Sequence, residues 1–275
     1  MEKERVLFVT QEITPYLPET PMSQIGRFLP QGIQEKGREI RTFTARFGNI
    51  NERRNQLHEV IRLSGVNIVI GGADHPLTIK VASIQSARMQ VYFIDNEDYF
   101  QRKFQLADDH GKCFDDNDER AIFFARGVLE TVKKLRWAPN IVHCHGWFSA
   151  AVPLYIKKAF REDPLFHESK VIYSIYDDEF NGCMNKNFKK KVVVEGVSAN
   201  DVKVTEEPTY VNLMKLAVNF SDGIIISSEK INKDVLSYIR KSGKPLLEYV
   251  NDEKTYIEEY AGFYETVLTK DFVES

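Results

Sequence analysis

Residues 5–37, RVLFVTQEITPYLPETPMSQIGRFLPQGIQEKG, decide the fold. Val6-Leu7-Phe8-Val9 is an unbroken apolar run, the pattern of a strand buried on both faces of a parallel sheet. A loop punctuated by Pro15 and Pro18 follows, then a helix that ends at Gly37. In open α/β folds ligands bind outside the carboxyl ends of the strands, so residues 10–20 are where a small molecule would be met.

Working outward, residues 39–44 (EIRTFT) alternate and read as a second strand. Residues 66–70 (VNIVI), 77–84 and 90–94 (QVYFI) are short runs separated by Gly, Asp and Pro. They break the α/β alternation and predict an antiparallel hairpin or meander inserted there. Residues 95–116 read as a long polar loop. Over 117–136, Ile122, Ala125, Leu129, Val132 and Leu135 share one helical face. Acidic residues crowd the start of that helix and basic residues its end, as the helix dipole favours. Strands are then predicted at 140–144, 170–175 and 223–227, with helices at 148–160, 210–219, 231–241 and 253–270. Residues 181–205 stay unassigned. The result is an α/β fold: a Rossmann-like, mostly parallel sheet with helices on both faces, in a single domain over 1–275.

Bulk properties exclude several classes. The chain has 275 residues, 37 basic against 40 acidic, for a net charge of −3. A nucleic-acid groove wants a basic excess, so no nucleic-acid partner is expected. The Lys189–Lys191 run reads as a solvated face. No stretch reaches the roughly 20 apolar residues of a membrane span, and the N-terminus is too charged for a signal peptide. Cys113, Cys144 and Cys183 are odd in number and widely spaced, which argues against a disulfide framework and for a reducing compartment. A cytoplasmic location is the expectation, with no cofactor.

The order of segments resembles the N-terminal domain of bacterial glycogen synthases and plant starch synthases, glycosyltransferases of the GT-B fold. The stretches that carry the resemblance are VLFVTQEITPY at 6–16, LPQGIQEKGREIR at 29–41, VYFIDNEDYF at 91–100, DNDERAIFFARGVLE at 116–130, NIVHCHGWFSAAVPLYIK at 140–157 and SDGIIISS at 221–228. The resemblance implies one GT-B half-domain, and glucose transfer from a nucleotide sugar to an α-1,4-glucan. It also implies that residues 253–270 correspond to a terminal helix that packs back on this domain. A second domain, against which the nucleotide mainly lies in the family, is expected to be absent.

Three motifs depart from the family pattern. The family's first loop carries K-T-G-G-L, a lysine charge and glycine-flanked N–H groups for a diphosphate. This chain has Pro18-Glu19-Thr20-Pro21-Met22 instead, which reads as a helix N-cap with proline at the first helical position. Glu12 does match a family glutamate, as a ligand contact or as a packing constraint. In place of H-x-H-D-W-H the chain keeps His143, His145 and Trp147, but has Gly146 for the aspartate and Phe148 for the last histidine. His143 and His145 point to one side of a strand. A zinc reading with Cys113 or Cys183 lacks convergent ligand-pair spacing, so core histidines and no metal are expected. In place of T-x-H-N, residues 174–177 give Tyr176 for the donor-site histidine and Asp177 for the asparagine. Asp177, Asp178 and Glu179 make an acidic cluster suited to sugar hydroxyls or acid/base work, or to loop solvation and capping. Ser227-Ser228-Glu229 reads as the cap of a helix starting near Lys230.

The substrate-binding residues expected are therefore Glu12, Tyr99, His145, Trp147, Tyr176 and Asp177. Two functions stand at this point: a glycogen/starch synthase-type glycosyltransferase, or a non-catalytic half-domain that binds glucan or a partner enzyme. An α-glucan, a nucleotide-sugar and a protein at the exposed cleft face are the partners considered.

Overall fold

β1 (Arg5–Thr10) is apolar on both sides because it is covered on both sides. Leu7 and Val9 join the larger core, while Val6 and Phe8 point into a second, smaller one. The computed structural model describes residues 3–252 and 254–269. In chain order, β1 is followed by α1 (Pro21–Glu35), β2 (Glu39–Ala45), β3 (His58–Glu59), β4 (Val66–Ile70), β5 (Ala73–Ile84) and β6 (Met89–Asp95). Then come α2 (Glu97–Phe100), α3 (Asn117–Leu135), β7 (Ile141–His145), α4 (Ala151–Lys157), β8 (Lys170–Ile175) and α5 (Phe188–Lys191). The chain continues with α6 (Tyr210–Asn219), β9 (Gly223–Ile226), α7 (Lys233–Lys241), β10 (Leu246–Leu247) and α8 (Tyr256–Thr269).

The sheet order is β10-β9-β8-β7-β1-β2-β6-β5-β3, with β4 attached to β5. Every pairing from β10 across to β6 is parallel. The β6–β5, β5–β3 and β5–β4 pairings are antiparallel. This is the predicted insertion, and the α/β class with helices on both faces holds. On one face Phe124 and Val128 of α3, Leu154 of α4 and Leu213 of α6 bury the larger core. On the other, Leu29 and Ile33 of α1 meet Tyr260, Phe263 and Tyr264 of α8 over Val6, Phe8, Ile141, Ile172 and Ile225. A Cβ on Gly32 would come within 2.7 Å of Ile257, so glycine there lets α1 and α8 approach closely.

Several expectations are corrected. Cys113 and Cys183 are paired in a disulfide, their Cα atoms 5.0 Å apart, although their spacing argues against one in sequence. Residues 95–116 are not all irregular: Asn96 caps the one-turn α2 by accepting from Asp98 N and Tyr99 N. The fully buried Arg120 then fixes this stretch from α3, donating to the Tyr99 carbonyl oxygen at 2.7 Å and to Asn117 Oδ1 at 2.7 Å. Lys191 is not part of a solvated face. It pairs with the fully buried Asp118 at 2.8 Å and with Glu119 at 2.7 Å, both from the first turn of α3. Residues 148–160 form a short 3-10 turn and a seven-residue α4 rather than one long helix. The cap of α7 is Asn232, whose side chain accepts from Asp234 N and Val235 N, and not the Ser227–Glu229 stretch. β10 carried no sequence expectation. Glu253 and Lys270, the bounds expected for the last helix, lie outside the described residues.

Candidate functional site

The carboxyl ends of β1, β8 and β9 open into a crevice of about 570 Å³. Each end delivers its residues through a local device. At β1, the Thr10 hydroxyl donates to the Glu12 carbonyl oxygen at 2.7 Å and bends the chain over α1. Gly26 makes this possible, since a Cβ there would sit 2.5 Å from that same oxygen. Glu12 Oε2 then accepts from the Thr20 hydroxyl at 2.5 Å. Thr20 in turn accepts from Ser23 N at 3.0 Å, while Thr20 N donates to Ser23 Oγ at 2.8 Å. This is a capping box followed by Pro21. Two amide donors at the start of α1 are thus occupied by side chains, and Pro21 has none to offer an anion.

At β8, Asp177 N donates to Ser228 Oγ at 3.0 Å and ties the ends of β8 and β9 together. Asp178 turns under the crevice. Its Oδ2 accepts from Trp147 N at 3.0 Å, and the Tyr210 hydroxyl lies 2.9 Å from its Oδ1. Burial of the carboxyl group pushes the Asp178 pKa up to about 6, against the lowering effect of these two donors, and the charge of Glu12 adds to the rise. At β9, Ser227 Oγ and Tyr260 Oη are 2.9 Å apart, so α8 supports the crevice floor. Glu229, Lys230 and Tyr249 complete the rim. Glu12, Asp177, Asp178 and Glu229 face one lysine, and the site is acidic.

Of the residues expected from sequence, Glu12, Tyr176 and Asp177 meet in this crevice. Tyr176 contributes its edge only: it is buried, and its hydroxyl lies 2.8 Å from His145 Nδ1. His145 is fully buried in the floor, and burial lowers its pKa to about 3. Its Nε2 has no protein partner among the described residues. His143 beside it is held by Tyr264 Oη at 2.6 Å and Ser174 Oγ at 2.8 Å. Trp147 is buried against Phe148 and Phe180, and serves the site through its backbone N–H. Tyr99 does not line the crevice. It is buried beside Phe123, its hydroxyl 2.9 Å from His75 Nε2 and 2.8 Å from Glu119 Oε2. Sequence reasoning placed Asp178 in an acidic cluster without singling it out, and read Thr20 and Ser228 as helix caps only. The signal available was position: each follows a buried strand or begins the first helix.

Gly146 has φ +81°, and a Cβ there would lie 2.8 Å from Gln11 Oε1 and from Met22 Sδ. Among the described residues no group of three or more His, Cys, Asp or Glu is arranged to hold a metal ion, and no helix is long and apolar enough to cross a membrane.

Comparison with known proteins places this architecture. The family model of the starch synthase catalytic domain matches residues 5–248. The chain is 30% identical over 233 residues to a glycogen synthase of Pelodictyon phaeoclathratiforme, covering 84% of this chain and 47% of that protein. It is 32% identical over 234 residues to a glycogen synthase of Chlorobaculum tepidum, with 84% and 47% covered. The chain thus spans about half the length of the curated relatives it matches. Its fold superposes on the catalytic domain of starch synthase IV from Arabidopsis thaliana, solved with ADP and acarbose. The TM-score is 0.72 at 15% identity, over 92% of this chain and 52% of the other.

Proposed function

Because the chain belongs to the starch synthase catalytic domain family, we propose that it serves glucosyl transfer from a nucleotide-glucose to an α-1,4-glucan, and that its own part is to hold the glucan. The observation that carries this reading is the carboxylate-lined crevice, with a capped helix start where the family has a diphosphate cradle. Sugar hydroxyls are neutral donors, which Glu12 and Asp177 accept from without charge repulsion. A diphosphate meets Glu12 and Asp178 at the same place and gains only Lys230 at the rim. Losing one contact of this electrostatic kind commonly costs about 3 kcal/mol of transition-state stabilisation. We place the protein in the cytoplasm and read the chain as a GT-B half-domain with α8 packed back on it.

A second reading is a transferase active on its own. The raised pKa of Asp178, about 6, favours it, because perturbed carboxyl groups in clefts mark acid/base sites. One experiment separates the two. The purified chain is titrated with maltoheptaose and with ADP, and label from ADP-glucose and UDP-glucose is followed into glycogen. The expected result is maltoheptaose binding weakened roughly tenfold by Asp177→Ala, with no incorporation. Incorporation abolished by Asp178→Asn establishes the second reading. Absence of glucan binding overturns the first and leaves a protein partner at the open cleft face.

A further inference from the structure

Cys113 and Cys183 are 70 residues apart in sequence and adjacent in space. Their Cα separation of 5.0 Å falls in the range of about 4.4–6.8 Å that disulfides span without moving the backbone. Cys113 closes a small turn. Its backbone bridges Ala107, Phe114 N donates to the Leu106 carbonyl oxygen, and Asp108 Oδ1 accepts from His110 N and Lys112 N. Cys183 lies in the stretch after β8, five positions beyond Asp178. That stretch is also held by the Phe180 ring against Trp147 and Tyr210, by Asn232 Nδ2 donating to Glu179 Oε2, by Asn185 Nδ2 donating to the Asp115 carbonyl oxygen, and at its far end by Lys191 on Asp118. The pair is reached through Cys113, which is half-buried, while Cys183 behind it is buried. The third cysteine is not. Cys144 is fully buried in β7, and burial pushes its thiol pKa up.

We infer that Cys113 and Cys183 form a reversible dithiol–disulfide site, oxidised by a low-molecular-weight disulfide, which fastens the loop following Asp177 and Asp178 to the 106–114 turn and so sets the shape of the crevice. The exchange balances. One cysteine thiolate attacks a sulfur of glutathione disulfide, forming a mixed disulfide and releasing one glutathione. The second cysteine, losing its proton to solvent, attacks the protein sulfur of that bond and releases the other. Two electrons pass from the protein pair to the glutathione disulfide, and excess glutathione reverses both steps. Lys191 keeps the far end anchored in either state, so the change runs from residues 106–114 through 179–187 and reaches the crevice at Asp177 and Asp178, where that loop begins. The thiol chemistry stands by itself, whereas its effect on ligand rests on the glucan reading above.

The test equilibrates the native chain in buffers of varied ratio of glutathione to glutathione disulfide, blocks free thiols, and maps peptides. The 113–183 linkage is expected to appear and disappear with the ratio, while Cys144 stays unblocked until the chain is denatured. Amide exchange in 179–187 and 106–114 is expected to slow roughly tenfold on oxidation, and Cys113→Ser to abolish that response. No linkage at any ratio, a linkage that native protein keeps in excess dithiothreitol, or equal exchange in both forms overturns the site. Maltoheptaose titration of the two forms is expected to differ roughly threefold. Equal binding overturns the coupling to the crevice, and no binding by either form overturns the glucan reading alone.

Discussion

The Trp147 amide donates to Asp178 Oδ2 at 3.0 Å, joining the exit of β7 to the exit of β8 beneath the crevice. The carboxyl group it holds is buried enough to be pushed up to about pH 6 despite that bond. A folded pKa above the unfolded value of about 3.8 favours the protonated form in the folded state. Its stabilising contribution is full below about pH 3.8 and is lost as pH rises through about 6. Asp178→Asn removes this dependence. The variant should gain stability relative to the parent between pH 4 and pH 8, by at most about 3 kcal/mol. Urea unfolding at both pH values measures it, and an unchanged difference would contradict a buried carboxyl here.

His145 works in the opposite sense. Burial lowers its pKa to about 3, below the unfolded value of about 6.5. Its neutral form stabilises the fold above pH 6.5, and that contribution is lost as pH falls from 6.5 towards 3, with a slope of about 1.4 kcal/mol per pH unit. Between about pH 4 and 6 the gain at Asp178 has the same slope with the opposite sign and cancels most of this loss. His145→Gln leaves the Asp178 gain unopposed, so the variant should gain stability relative to the parent as pH falls, although removing the contact with Tyr176 lowers stability at neutral pH. Denaturation midpoints from pH 7 to pH 5 test the slope, and equal slopes in parent and variant would exclude a neutral buried His145.

Gly146→Asp supplies the aspartate of the H-x-H-D-W-H pattern that the resemblance implies, and should destabilise the fold. A side chain at φ +81° is strained, and its Cβ would meet Gln11 Oε1 and Met22 Sδ at 2.8 Å. The cost expected is about 1–3 kcal/mol, read as a lower Tm. Gly146→Ala should lose much of the same amount, because the Cβ itself is the obstacle. If Gly146→Asp is neutral while Gly146→Ala is costly, the aspartate carboxylate has found a compensating partner.

The parallel core was legible because its strands are buried on both faces and so read as plain apolar runs: Val6–Val9 and Gly223–Ile226 carry no competing signal. The start of α1 was legible because Thr-Pro is a chemical instruction that acts over a few residues. What sequence could not supply was contact between distant segments. Nothing local to Cys113 announces Cys183, and Lys191 looks like its two lysine neighbours until Asp118 is brought beneath it. In the site, Tyr99 and Trp147 were singled out by motif, yet their side chains are turned into the core. Asp178, with nothing to distinguish it from Asp177 in sequence, is the carboxylate that the fold holds by both oxygens, with the Trp147 amide on one and the Tyr210 hydroxyl on the other.

Thr20 serves two elements at once, accepting from Ser23 N and donating to Glu12. Thr20→Ala removes the side-chain cap of α1 and leaves Glu12 Oε2 without this donor. Loss of an N-cap of this kind costs about 0.5–2 kcal/mol, and the loss of the Glu12 partner adds to it. Thr20→Ser keeps the hydroxyl and should recover most of the stability, since serine caps as well as threonine. A Tm series over the parent and both variants is the measurement. If serine fails to rescue, the threonine methyl rather than the hydroxyl carries the effect. The same series with maltoheptaose present reports on Glu12: if the carboxylate accepts sugar hydroxyls, Thr20→Ala should reduce the ligand-induced rise in Tm, and Thr20→Ser should restore it.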